Sequence, residues 1–413
     1  MSTSVTRETP PAAWRRRSPL ILVVAGVAGW LTFAVLMGQM LARSPAGAGF
    51  DLELLLTGAR RVAAGLSPYE PEMLAGQSVG ITTLFFSYPP LVAQALVPVA
   101  GLPSIVVLAL LLAGAPLAGA AVSARLARIH VTGPTDRAAF LVALALLPFW
   151  FPFTLAMLWG NADTLFVAGY GLLLLAVVPS VPSRRMVVAA GVALALMSVT
   201  KLHPAVLGVW LLARGIRELR RGDEPLWIVG RGLPRSFAIA AVSLVVALAV
   251  VAASLLVGGL GPWADYLAVL RASTVVDLLD PRNLGPAVQV ALLLGLGQSA
   301  LAPMQGVVVV AALAAAVVAA LAVDDPLESL LWAAFASLVP LPVTWFHHFA
   351  VLFPFGVAAV ARVWADPRAR RRALAWMAAA LAVGALGFGM AFAWLFLPLF
   401  VLAARVSRAR SAG

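Results

Sequence analysis

Long apolar runs constrain this chain more than any other feature. The first occupies residues 21–41 without a single charged side chain. Roughly 20 such residues cross the hydrocarbon core of a bilayer as a helix. Comparable runs recur to the C-terminus, and 62% of the 413 residues are hydrophobic against 11% charged, with a mean hydropathy of +0.99. A water-soluble core of that size could not hide so much apolar surface, whereas a bilayer takes it up. The chain therefore reads as an all-α, polytopic integral membrane protein, multi-pass in a plasma membrane. Its heavy use of Ala, Gly, Pro and Arg suggests a GC-rich bacterial genome.

Charge supplies the topology. The formal net charge is +12, but the basic residues lie in short runs between apolar segments, as topology signals and anionic-lipid contacts do. Nucleic acid is not the expected partner; membrane lipids are. Arg15, Arg16 and Arg17 precede the first span, which reads as an uncleaved helix after a cytoplasmic tail of residues 1–18. Further clusters at 125–137, 183–185, 214–235, 362–372 and 405–410 mark the same side. Twenty-three of the 28 arginines fall there, leaving Arg43, Arg60, Arg61, Arg271 and Arg282 on the other. Parity then requires that the runs 91–102 and 286–300 do not cross, so they read as re-entrant or interfacial helices. The remaining runs give about 12 crossings, within a range of about 10 to 13. The expected layout is one transmembrane domain over residues 19–405 and a second cytoplasmic tail at 406–413.

This arginine-derived topology gathers five regions on the non-cytoplasmic side: residues 42–90, 159–163, 200–204, 259–285 and 340–348. Most of the unusual polar residues lie in them. In the first, positions 52, 55, 56, 59, 62 and 63 are apolar around Glu53, Arg60 and Arg61. That period predicts an amphipathic interfacial helix ended by Gly65. Asp51 at its start reads either as a helix cap or as a catalytic carboxylate. Asp163, in the polar turn after Trp159, reads first as a cap for a helix beginning at Thr164, with a sugar-binding carboxylate as the alternative.

Lys201 is the only lysine among 29 basic residues. It sits beside His203 between two apolar segments, where a compact ammonium suits a phosphate oxygen; the alternative is a snorkelling interfacial lysine. Arg282 and Asn283 precede the second re-entrant run and are expected to face the cavity. His347 and His348 stand at the mouth of an apolar helix. Adjacent histidines point to different helix faces and no third ligand lies at zinc spacing, so no metal is expected, and hydrogen bonding to a phosphate or carboxylate is. Cysteine is absent, which removes disulfides and thiolate metal sites. No Gly-rich phosphate loop follows a strand, and no cofactor is implied.

An ordered set of short elements resembles glycosyltransferase family 87, of the C-type, lipid-donor class. The elements are Asp51 in an early loop, Gly65-Leu66-Ser67-Pro68-Tyr69, Tyr88-Pro89-Pro90-Leu91, Lys201-Leu202-His203-Pro204 and Thr344-Trp345-Phe346-His347-His348. Two departures stand out. The family's G-Q-x-N turn is Gly160-Asn161-Ala162-Asp163 here, and its N-Q-S element survives only as Asn283. The resemblance implies a C-type glycosyltransferase architecture and transfer of a sugar, typically mannose, from a polyprenyl-phosphate donor to a lipid-linked or polysaccharide acceptor. Asp51 would then be the general base, and Lys201, Arg282, His347 and His348 would contact the donor phosphate. Tyr69, Tyr88, Asn161, Asp163, Asn283 and Trp345 would line the substrate. The competing class is a secondary transporter or flippase, against which stand the absence of an internal repeat and the clustering of ionisable residues at one face.

The topology has a direct test. Cysteine introduced by Ser67→Cys is expected to react with a membrane-impermeant thiol reagent applied from outside intact cells; protection from it would invert the assignment.

Overall fold

The computed structural model describes residues 12–44, 47–75, 86–131, 135–179, 183–223, 226–228, 231–272, 278–386 and 391–406. They are almost entirely helical, the exception being a three-residue antiparallel pair, Leu226–Ile228 with Arg231–Leu233, in the basic loop. The first helix begins at Ala12, earlier than the polar tail suggested. Most of both predicted tails, together with Phe85 and Asp277, lies outside the described residues.

Among the described residues, four helices are long and apolar enough to cross a membrane: Val23–Arg43, Ser104–His130, Arg235–Gly258 and Gln298–Ala322. A fifth candidate is the pair Asp136–Phe149 and Phe151–Leu158, bent by 77°. Their outer surfaces carry exposed apolar residues such as Leu244, Leu248, Val307 and Val310, as lipid contact requires. Within this shell lie shorter helices that are apolar on every side. Asp163–Val177 and Arg184–Thr200 have 15 and 17 residues, or ~22 and ~26 Å of helix at 1.5 Å per residue. The expected tally of about 12 crossings counts such short helices as spans. The two runs assigned as non-crossing do fold as short pieces, Pro90–Leu96 and Pro286–Leu294, each followed by a single 3₁₀ turn.

Small residues let the inner helices touch. A Cβ at Gly191 would stand 2.7 Å from the Val242 side chain and 2.9 Å from the Ile239 carbonyl oxygen, so Arg184–Thr200 and Arg235–Gly258 cross at backbone contact. Lipid tails are as apolar as the side chains, so close packing of this kind has to supply the association.

The arginines that set the topology have structural partners. Arg214 and Arg217 donate to the carbonyls of Ala320 and Val323 at the end of the helix Leu301–Ala322. Arg235 does the same for Val177 and Pro179 after Asp163–Val177. Helix ends leave such carbonyls without partners and carry partial negative charge, which a guanidinium satisfies twice over. Arg362–Asp325 and Arg405–Glu328 pairs complete this end. The opposite end of the Asp163–Val177 helix is where the remaining polar residues meet.

Replacing Gly191 by leucine is expected to lower stability by about 1–3 kcal/mol through overpacking, read as a lower thermal midpoint of the detergent-solubilised protein. Gly208→Leu, where a Cβ meets nothing within 4 Å, is expected to leave the midpoint unchanged.

Candidate active site

Asp51 owes its position to a docked helix start. Gly49 adopts φ 71°, a left-handed turn that an L side chain resists, and its N–H donates to the Leu158 carbonyl at 2.8 Å. The N–H of Asp51 then donates to the Trp159 carbonyl at 2.9 Å. The helix Phe50–Ala63 runs on from there, burying Leu52, Leu55, Leu56 and Ala59, and Gly65 at φ 75° follows it. This is the amphipathic helix read from the sequence. The cap reading of Asp51 does not hold, because Gly49 precedes the helix with no side-chain cap. Instead Asp51 Oδ2 accepts from Asn161 Nδ2 at 2.7 Å, while Oδ1 has no hydrogen-bond partner among the described residues. Glu53 faces away, bonded to Arg60 and Ser104.

Asn161 lies at the centre. Its Nδ2 donates to Asp51 and to His347 Nε2, the latter at 3.0 Å, and its Oδ1 accepts from Lys201 Nζ at 2.9 Å and the Asp163 N–H at 2.9 Å. A carboxamide has two donors and two acceptor sites, and all four are used within the protein. The amide expected to contact substrate is thus fully used inside the protein.

Asp163 is not the cap of a helix starting at Thr164 either. It is the first helical residue, fully buried, and forms a 3.0 Å ion pair with Lys201. Lys201 reaches it because the chain leaves the helix Arg184–Thr200 in an extended conformation, φ −132° and ψ 133°. Two of the three ammonium hydrogens are spent on Asn161 and Asp163, which leaves one.

The two adjacent histidines, on the 3₁₀ helix of residues 346–352, flank the Asp163 carboxylate, which reaches them from another helix. Both Nε2 atoms lie 3.6 Å from Asp163 Oδ2. Asp163, His347 and His348 thus bring ligand atoms within 4.8 Å of one another, supplying the third group that sequence spacing did not reveal. The donor set is nevertheless wrong for a metal. His348 Nδ1 accepts the Trp345 N–H at 3.1 Å, so its own proton sits on Nε2, the atom facing Asp163. His347 Nε2 is occupied by Asn161. A metal-bound imidazole instead donates its second N–H outward, and a lysine already pairs the carboxylate. The same bonds leave both rings as neutral imidazoles beside the Lys201–Asp163 ion pair.

The other predicted residues divide. The Tyr88 phenol is pushed well up by burial and by the charges of Asp51 and Asp163, so it stays a neutral hydroxyl near both carboxylates. Tyr69 is fully buried against Phe86 and Tyr266 and donates to the Tyr88 carbonyl at 2.9 Å, so it supports Tyr88. Asn283 is saturated by Leu278, Pro342, Gly285 and Thr344, a staple and not a substrate contact. Arg282 is exposed and paired with Asp280, outside the cluster. Trp345 enters through its backbone, bonded both ways to His348. Two further residues belong here. Trp159 meets the His347 ring edge-on at 5.1 Å, and His203 lies 6.1 Å from the His348 ring with both nitrogens buried and unpartnered. His203, two residues beyond the lone lysine, was visible in the sequence as a signal.

Burial pushes the Asp51 carboxyl up to about 6; the Asn161 hydrogen bond and Lys201 hold it down, and Asp163 adds a smaller upward push. The group is thus ionised at neutral pH yet close to the pH at which it takes a proton.

Breaking the buried ion pair should cost more than removing it. Lys201→Met strands Asp163 and is expected to destabilise by about 3–5 kcal/mol. Lys201→Met with Asp163→Asn is expected to recover most of that in the thermal midpoint.

Comparison with known proteins bears on what this cluster does. A family model described as glycosyltransferase family 87 matches residues 85–342, a stretch that contains Tyr88, Asn161, Asp163 and Lys201. Searches among curated proteins and among solved structures each return no match. The matched stretch is more than half of a chain whose apolar helices make it a multi-pass membrane protein, and this protein belongs to glycosyltransferase family 87.

Proposed function

We propose that this membrane glycosyltransferase moves a hexose, mannose first among candidates, from a polyprenyl-phosphate donor to a hydroxyl of a lipid-linked or glycan acceptor. The proposed site faces the outside of the plasma membrane, as the distribution of arginines supports. Family membership already sets aside the transporter reading.

One observation carries the mechanism: of the two carboxylates in the cluster, only Asp51 is open to an incoming group, since the unbonded Oδ2 of Asp163 is sealed inside the protein. Asp163 is fully buried with its Oδ1 paired to Lys201, while Asp51 is half-buried and its Oδ1 has no hydrogen-bond partner among the described residues. A general base needs an open lone pair and a carboxyl whose pKa approaches the working pH, and Asp51 has both. Asp51 takes the proton of the acceptor hydroxyl as its oxygen attacks the anomeric carbon. The phosphate leaves with the electrons of the C–O bond. A polyprenyl phosphate departs without protonation and is helped by positive charge and donors, which the third Lys201 hydrogen and the His347 Nδ1–H, unpartnered here, can supply. Among the described residues the other carboxylate of the cluster, Asp163, is buried away from an incoming sugar, and a single, inverting displacement fits a lone base.

Asp51→Asn is expected to lower transfer from polyprenyl-phosphate mannose by about 10²–10⁴-fold with protein abundance unchanged; retained activity would remove the base assignment. Because the base must be ionised, kcat/KM of the unmodified enzyme is expected to fall with acid below about pH 6 and to level off above it.

A further inference from the structure

The mechanism above uses Asp51, Lys201 and His347 but assigns nothing to Asn161, which is bonded to all three. Resting on the reading of Asp51 as base, we infer that Asn161 is a positioning residue that aims Asp51 and sets the His347 tautomer without touching substrate itself.

The orientation of the amide is forced. Its Oδ1 faces two groups that can only donate, the Lys201 ammonium at 2.9 Å and the Asp163 N–H at 2.9 Å, so Nδ2 must point the other way. There its two hydrogens meet Asp51 Oδ2 at 2.7 Å and His347 Nε2 at 3.0 Å. Two consequences follow. One carboxylate oxygen of Asp51 is tied down, which leaves Oδ1 as the basic atom and fixes its direction. His347 receives a hydrogen at Nε2, so its own proton lies on Nδ1, where it is buried without a partner. The imidazole is thereby a donor toward a substrate oxygen and not a competing base.

The local fold is built for this side chain. The short asparagine side chain reaches Asp51 because the two backbones lie close together. Gly160 adopts φ 66°, and a Cβ on it would stand 2.8 Å from that of Leu52. Its N–H and that of Asn161 are bound back to Met157 and Ala156, so the amide is delivered by a locked turn. The charged and titratable groups facing Asp51 from neighbouring elements are Lys201, Asp163, Tyr88 and His347. Of these side chains and Asn161, only Asn161 is hydrogen-bonded to Asp51.

The test uses the full-length protein in lipid nanodiscs, with polyprenyl-phosphate mannose as donor and a total membrane lipid extract as acceptor. Asn161→Ala is expected to lower kcat about 100-fold with donor KM within about threefold, and to move the acid limb of kcat/KM to higher pH, since the bond that favours the carboxylate is gone. Asn161→Asp keeps the shape, removes both donors and adds a negative charge, so its limb is expected to move further in the same direction. Asn161→Gln, which keeps the amide, is expected to regain at least tenfold of the loss. A raised KM with unchanged kcat and an unmoved limb would make Asn161 a substrate contact and overturn the inference. Should the alanine variant fail to fold, the isosteric aspartate variant decides by its limb alone. Loss of activity in Asp51→Asn together with unmoved limbs in the Asn161 variants would reject this inference and leave the base assignment standing. An active Asp51→Asn would reject both.

Discussion

A lysine and an aspartate buried 3.0 Å apart hold this site together. Neither charge would be tolerated alone in so apolar a setting, since several kcal/mol of lost hydration would face it. As a pair, bridged by the Asn161 carbonyl oxygen, they create a fixed dipole at the end of three helices. That oxygen orients the amide, the amide orients Asp51 and His347, and the backbone of the 158–160 turn holds the helix that carries Asp51. The arginine clamps at the far end of the same helix bundle do the complementary work of satisfying helix carbonyls. One end of the inner bundle is sealed by cations on backbone, the other opened by side chains on one another.

Much of this was legible in the sequence because membranes make polar residues conspicuous. An aspartate just beyond an apolar run, a lone lysine in an arginine-rich chain and a histidine pair at a helix mouth all stand out against a chain only 11% charged. Arginine parity singled out the runs 91–102 and 286–300, which fold as short helices, and the 3.6-residue period of 52–63 announced its helix.

What stayed hidden depends on pairings between distant segments. Nothing local tells that Asp163 takes Lys201 as its counter-ion, or that both asparagines spend every hydrogen bond inside the protein. Asn161 and Asn283, expected to line the substrate, are filled by protein partners, and only an accounting of donors and acceptors reveals it. The histidine pair was judged by the geometry of its own helix, in which neighbours diverge, whereas a carboxylate from another helix stands within reach of both Nε2 atoms. Arg282 is the instructive exception, because Asp280, two residues earlier, was a local partner in plain view.

The central claim is that a single carboxylate, Asp51, serves as base for one displacement while Asp163 remains a structural counter-ion. The anomeric configuration of the product tests it most directly. Transfer from a polyprenyl-phosphate mannose of defined configuration, followed by NMR of the isolated product, should give the opposite configuration at the transferred sugar. Retention would require a carboxylate nucleophile that this arrangement does not provide, and would contradict the account.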